Sequence, residues 1–142
     1  MLLLDTTHRQ KDMKSIIFTL FTLFAFSAVS AQNTGLHLTF EKENIQLGKV
    51  KKGEKKTFKY TFTNTGEETV EISIVSGCDC TTLDWTRGKI KPGEKGIIDV
   101  IFDSTEKEAS ETVDVDMYLK NINPKSDSQY LFVLDYTFEL IQ

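Results

Sequence analysis

The two cysteines of this 142-residue chain stand one residue apart, in Gly77-Cys78-Asp79-Cys80-Thr81-Thr82. Thiols so placed can close a small disulfide, exchange it with a partner thiol, or hold a soft metal ion. Cys78 and Cys80 share the parity of Ile72, Ile74 and Ser76, so an unbroken strand would turn both toward one core-facing side. Two residues of strand separate Cα atoms by about 6.6 Å, near the upper limit for a disulfide unless Gly77 bends the chain. In the chain-entropy account such a small ring stabilises by only about 1.6 kcal/mol, against about 3 kcal/mol for a fifteen-residue loop.

Three readings of the pair stay open. In the first, the sulfurs are compact hydrophobes packed beside Trp85 where a strand ends. In the second, the pair exchanges with an envelope thiol, although Asp79 and Asp84 would raise rather than lower a thiol pKa. In the third, two thiolates hold Cu(I). Zinc would want four ligands, and a tetrathiolate site would need two copies of the chain.

Other chemistry is hard to build from these residues. His37 is the one histidine beyond residue 31, and its strand parity turns it outward beside Thr39. There is no Gly-x-Ser-x-Gly elbow and no glycine-rich phosphate loop. The cluster Lys49, Lys51, Lys52, Lys55, Lys56 and Lys59 reads as a solvated hairpin and edge-strand guard, with an anionic glycan or lipid head group as the alternative ligand. Glu106, Glu108, Glu111, Asp114, Asp116 and Asp127 lack the spacing of a calcium loop and read as a charged outer face. Tyr118, opposite in parity to Met117, is an exposed aromatic available for contact. No catalytic residue, cofactor or metal site is expected.

The elements that must position Cys78 and Cys80 begin after a leader. Met13-Lys14 opens it, Ile16–Phe26 is its apolar stretch, and Val29-Ser30-Ala31 offers small residues for cleavage before Gln32. The apolar run is shorter than the about 20 residues that span a bilayer, so the processed form is expected to have no membrane span. No cysteine at the cleavage site offers a lipid anchor. Residues 1–12 fit no leader and read as an upstream mis-start. The expected location is periplasmic or secreted. Removing the first 31 of 142 residues leaves 111, enough for one domain, with 14 basic and 19 acidic side chains. That negative balance gives nucleic acid no purchase.

From residue 36 onward the apolar pattern has period two. Leu36, Leu38 and Phe40 share one parity, as do Phe58, Tyr60 and Phe62, then Val70, Ile72 and Ile74. Ile98, Val100 and Phe102 follow, then Val113, Val115, Met117 and Leu119, and last Tyr130, Phe132, Leu134, Tyr136, Phe138 and Leu140. Such alternation puts one face on a core and the other toward water. Leu131 and Val133 break it, so the last strand is either covered on both faces there or paired with a partner. Gly53, Asn64-Thr65-Gly66, Gly88, Pro92-Gly93 and Asn123-Pro124 supply turn chemistry. About seven antiparallel strands in one domain, 32–142, predict an all-β, immunoglobulin-like sandwich.

Several of these residues carry a family resemblance. Lys55–Asn64 with Thr65-Gly66, then Cys78-Asp79-Cys80-Thr81, Trp85, Ile90-Lys91-Pro92-Gly93-Glu94 and Phe102-Asp103 resemble the exported bacterial domain-of-unknown-function family 1573. The likeness spans nearly the whole of residues 32–142. It implies an immunoglobulin-like sandwich of the Hydin and abnormal-spindle type in the cell envelope. The chain departs from that family at Asp79, which stands where glycine is usual and would allow a tight turn or close backbone approach.

The function expected from these features is that of an exported, non-catalytic module binding an envelope protein or glycan through strand edges or the loops around Cys78 to Trp85. The rival is a thiol–disulfide or Cu(I)-handling protein built on Cys78 and Cys80.

Overall fold

The structure, a computed structural model, describes residues 35–142. The leader at 13–31 and the upstream segment 1–12 lie outside the described residues. Nine strands follow one another: β1 (Leu38–Phe40), β2 (Asn44–Lys51), β3 (Lys55–Asn64), β4 (Val70–Ser76), β5 (Thr81–Trp85), β6 (Lys89–Ile90), β7 (Lys95–Asp103), β8 (Glu111–Asn123) and β9 (Ser128–Ile141). They form a four-stranded sheet in the order β1-β3-β7-β5 and a five-stranded sheet in the order β2-β9-β8-β4-β6. No helix among the described residues is long and apolar enough to cross a membrane.

The period-two pattern meets the core where expected in most strands. Ile98, Val100 and Phe102 of β7, and Val115, Met117 and Leu119 of β8, are fully buried. Across the interior, Phe102 packs at 5.3 Å from Tyr136 and 4.6 Å from Phe138, joining β7 to β9 ring to ring. The Tyr60 hydroxyl donates to the Asp135 carbonyl at 2.7 Å, a polar tie between the two sheets. Asn64 is buried, and its amide nitrogen donates to the carbonyls of Glu68 (2.7 Å) and Ile90 (3.0 Å). It fastens the Thr65-Gly66 turn to β6.

Three details differ from the sequence-based expectation. The strands number nine rather than about seven, because β5 and β6 are short and β2 carries an irregularity between Gln46 and Gly48 that breaks its alternation. Gly48 has a φ of 68°, the left-handed region such a bulge uses. Second, β2 runs parallel to β9, whereas every other pairing is antiparallel.

The third lies in β4. A register shift between Ile72 and Ile74 exchanges the faces of the residues after it. Val75 is therefore 5% exposed, and Ile74, expected in the core, is 50% exposed.

Candidate functional site

Cys78 and Cys80 occupy the crossover from β4, in one sheet, to β5, in the other. The strand has ended by Ser76, so the pair lies on a turn and not on a continuing strand. Thr81 closes that turn, its N–H donating to the Cys78 carbonyl at 3.0 Å and its hydroxyl to the same oxygen at 2.8 Å. The turn draws the Cys78 and Cys80 Cα atoms to 5.1 Å, well inside the disulfide range, and the two sulfurs are bonded. The bend is thus centred on Asp79, two residues beyond the Gly77 expected to make it. Gly77 matters for a different reason: a Cβ there would meet the Thr81 hydroxyl at 3.0 Å. Asp79 keeps a negative φ, since Asp127 is the one non-glycine among the described residues with a positive value. Aspartate in the usual glycine position therefore costs the backbone nothing.

Both sulfurs are half-buried and face the Tyr136 hydroxyl, 3.9 Å from Cys78 Sγ and 3.7 Å from Cys80 Sγ. Burial pushes the Tyr136 phenol up to about 12; the Thr81 hydroxyl opposes that shift and Glu111 adds to it. Trp85 does not accompany the sulfurs. It lies at the far end of β5, five residues and about 16 Å of extended chain from Cys80. There its ring is covered by the Arg87 guanidinium at 3.8 Å, and its indole nitrogen is buried without a hydrogen-bond partner. The disulfide packs against a tyrosine of β9, not against the tryptophan.

On its outer side the disulfide borders a cavity of about 300 Å³ lined by Asp79, Cys80, Asp103, Thr105 and Glu106. The Asp103 N–H donates to the Cys80 carbonyl at 2.9 Å. The Thr105 hydroxyl (2.6 Å) and N–H (3.0 Å), then Lys55 (3.1 Å), hold the Asp103 carboxyl at about 2. Three carboxylates beside Cys80 disfavour a thiolate there, because like charge raises a thiol pKa. Asp103 was visible in the sequence as the end of Phe102-Asp103, but nothing marked its place beside the turn. Tyr136 had only its parity to mark it.

His37 is exposed, its Nδ1 at 2.6 Å from the Thr65 hydroxyl. Lys49 and Lys51 stand on β2, an edge strand, as guards. Glu108 and Glu111 are ion-paired with Lys52 and Lys107. Among the described residues no group of three or more His, Cys, Asp or Glu side chains is arranged to hold a metal ion. Tyr118 lies on the outer face of the five-stranded sheet, between Ile74 of β4 and Leu131 of β9.

Two sheets, a cysteine pair at their crossover and an Asn-Thr-Gly turn tied to β6 are the features to compare with known proteins. The family described as "Protein of unknown function (DUF1573)" matches residues 38–131. The chain belongs to the DUF1573 family. Among curated proteins no relative matches it. Among solved structures, a protein of unknown function from Porphyromonas gingivalis W83 is 20% identical with a TM-score of 0.60, the match covering 82% of this chain and 51% of that one. This DUF1573 chain thus matches about half the length of that relative. The ASH/PapD-like domain 7 of human CEP192 is 10% identical with a TM-score of 0.54, over 74% of this chain and 85% of that domain. The VesB protease of Vibrio cholerae is 13% identical with a TM-score of 0.56, over 72% of this chain and 31% of that protein. At these identities the likeness is one of fold: an immunoglobulin-like, PapD-like sandwich.

Proposed function

We propose that this DUF1573 domain is an exported, non-catalytic module that acts by binding a protein or glycan partner in the cell envelope. The observation that carries the reading is a row of apolar side chains on the outer face of the five-stranded sheet. Ile74, Tyr118 and Leu131 sit directly opposite one another there, with Val133 two residues along β9. Ile74, Leu131 and Val133 are 50%, 47% and 55% exposed. Contiguous apolar surface of this kind marks contact sites more often than it decorates a free monomer. The leader pattern ending at Ala31 and the bonded cysteines support an oxidising compartment, periplasmic or extracellular.

A thiol–disulfide or Cu(I)-handling role for Cys78 and Cys80 is the rival. Bonded sulfurs offer copper no thiolate, and the carboxylates of Asp79, Asp103 and Glu106 oppose forming one.

Fractionation of the native host followed by reversible crosslinking tests the proposal. Recovery outside the cytosol, in a discrete complex with one partner, is expected. Recovery from the cytosol, or as an uncrosslinked single chain, would refute it.

A further inference from the structure

The Ile74–Tyr118–Leu131 row ends at a strand edge that nothing among the described residues covers. β9 lies between β8 and β2, but β2 begins only at Asn44, opposite Asp135. From Ser128 to Leu134, β9 is therefore paired with β8 alone. Asp135 donates its N–H to the Glu43 carbonyl at 2.9 Å, which fixes the side to which its backbone groups point. Backbone groups alternate in direction along a strand, so Val133, Leu131 and Gln129 turn theirs the same way, into the open edge.

This stretch carries no chemical guard, and the irregularity in its pairing with β8 falls opposite Gln129 and Leu131, on the β8 side. Ser128-Gln129-Tyr130-Leu131-Phe132-Val133-Leu134 contains no charge, no proline and no glycine, whereas β2 carries Lys49 and Lys51 along its own edge. An unguarded, uncharged β segment at an edge is a template for another strand. Both faces of a strand laid there find apolar surface. Leu131 and Val133 flank it outside. Inside stand Tyr130 and Phe132, half-buried, with the Phe40 ring 5.7 Å from Phe132.

We propose that Ser128–Leu134 of β9 accepts an added strand from another protein, an extended segment that alternates apolar with basic side chains. The apolar half of that description follows from the half-buried Tyr130 and Phe132, which line the inner side of the edge. The basic half follows from charge. Asp116 lies opposite Val133, and Asp114 opposite Asp135, on the same outer face. None of these three acids has an ion-pair partner among the described residues. Asp135, on β9 itself, is a diagonal neighbour of the added strand at about 7–8 Å, and Asp114 and Asp116, one strand further at about 10 Å, stay within reach of an extended lysine or arginine. A second copy of this chain suits the edge less well, because it would bring the same acids to the seam. The inference rests on the binding-module reading and gives it a surface and a partner chemistry.

Amide hydrogen exchange on the purified full chain tests it, with two blocked nonapeptides as probes. One alternates valine with lysine; the other has glutamate in each lysine position. The lysine peptide at saturation should slow exchange at Leu131 and Val133 by about tenfold or more. The glutamate peptide should not, and the variant L131K/V133K, folded by circular dichroism, should lose the response. Unchanged exchange, equal protection by both peptides, or amides already protected in a chain that sediments as a dimer would overturn the proposal. Such a failure is separable from failure of the binding-module reading, which crosslinking in the host tests without reference to β9.

Discussion

The phenol oxygen of Tyr136, on β9 of the five-stranded sheet, stands 3.7 Å from the sulfur of Cys80, on the turn that leads into β5 of the four-stranded sheet. The disulfide thus closes one end of the sandwich over a core tyrosine, with Asp79 turned to solvent between its half-cystines. Its role in this account is to fix the crossover from β4 to β5.

Replacing Cys78 and Cys80 together by alanine is therefore expected to leave the fold intact and to lower its stability by about 1–2 kcal/mol, the scale set by so small a ring. Urea unfolding of the double variant measures this. Thiol counting on the untreated native chain should find no free thiol.

Asn64 should matter more than the disulfide. Its side chain serves the carbonyls of Glu68 and Ile90 and accepts from the Gly66 N–H at 3.2 Å. Asn64→Leu strands these groups in the interior at a cost of about 3 kcal/mol. Asn64→Asp, which replaces the donor by a charge facing two carbonyls, should be at least as damaging. Denaturant midpoints of the two variants check the order.

Gly96 of β7 lies opposite Phe62 of β3, and a Cβ at Gly96 would overlap the Phe62 ring. Gly96→Ala should destabilise by about 1–3 kcal/mol through overpacking. Adding Phe62→Leu to that variant should recover part of the loss, and the double-mutant cycle reads the coupling.

Stability should fall at both ends of the pH scale for identifiable reasons. The Asp103 carboxyl is held at about 2, below its ordinary 3.8, first by the Thr105 hydroxyl and N–H and then by Lys55. A depressed folded value stabilises above the unfolded pKa, so this contribution is complete above about pH 4 and lost as pH falls toward 2. Asp103→Asn should flatten the acid limb in that window. Tyr136 shifts the other way, to about 12, by burial. Its contribution is present below pH 10 and lost as pH rises through 12. Tyrosinate absorbance against pH, in the native chain and in Tyr136→Phe, follows it.

Much of the sandwich was legible because the core positions of β7, β8 and the second half of β9 alternate: Ile98, Val100 and Phe102, or Leu134, Tyr136 and Phe138, need no knowledge of their partners to be placed inside. Parity failed where a bulge intervened. Ile74 was assigned to the core because nothing in Val70–Ser76 announces the register shift, and β2 was missed because its alternation breaks before Gly48. The site was legible only in part. The Cys78–Cys80 turn could be anticipated as a bend in the chain, but its partner Tyr136 lies 56 residues away from Cys80 and is brought there by the packing of two sheets. Leu131 and Val133 stood out as exceptions to the pattern. That they border an open edge depends on where β2 begins to pair, which is a tertiary fact.

The most direct measurement is site-specific photocrosslinking in the native host, with a benzophenone side chain placed at Val133 or, on the far sheet, at Thr82. The account predicts a discrete adduct from Val133 and none from Thr82, both positions being exposed. An adduct from Thr82 alone, or from neither position, would contradict it.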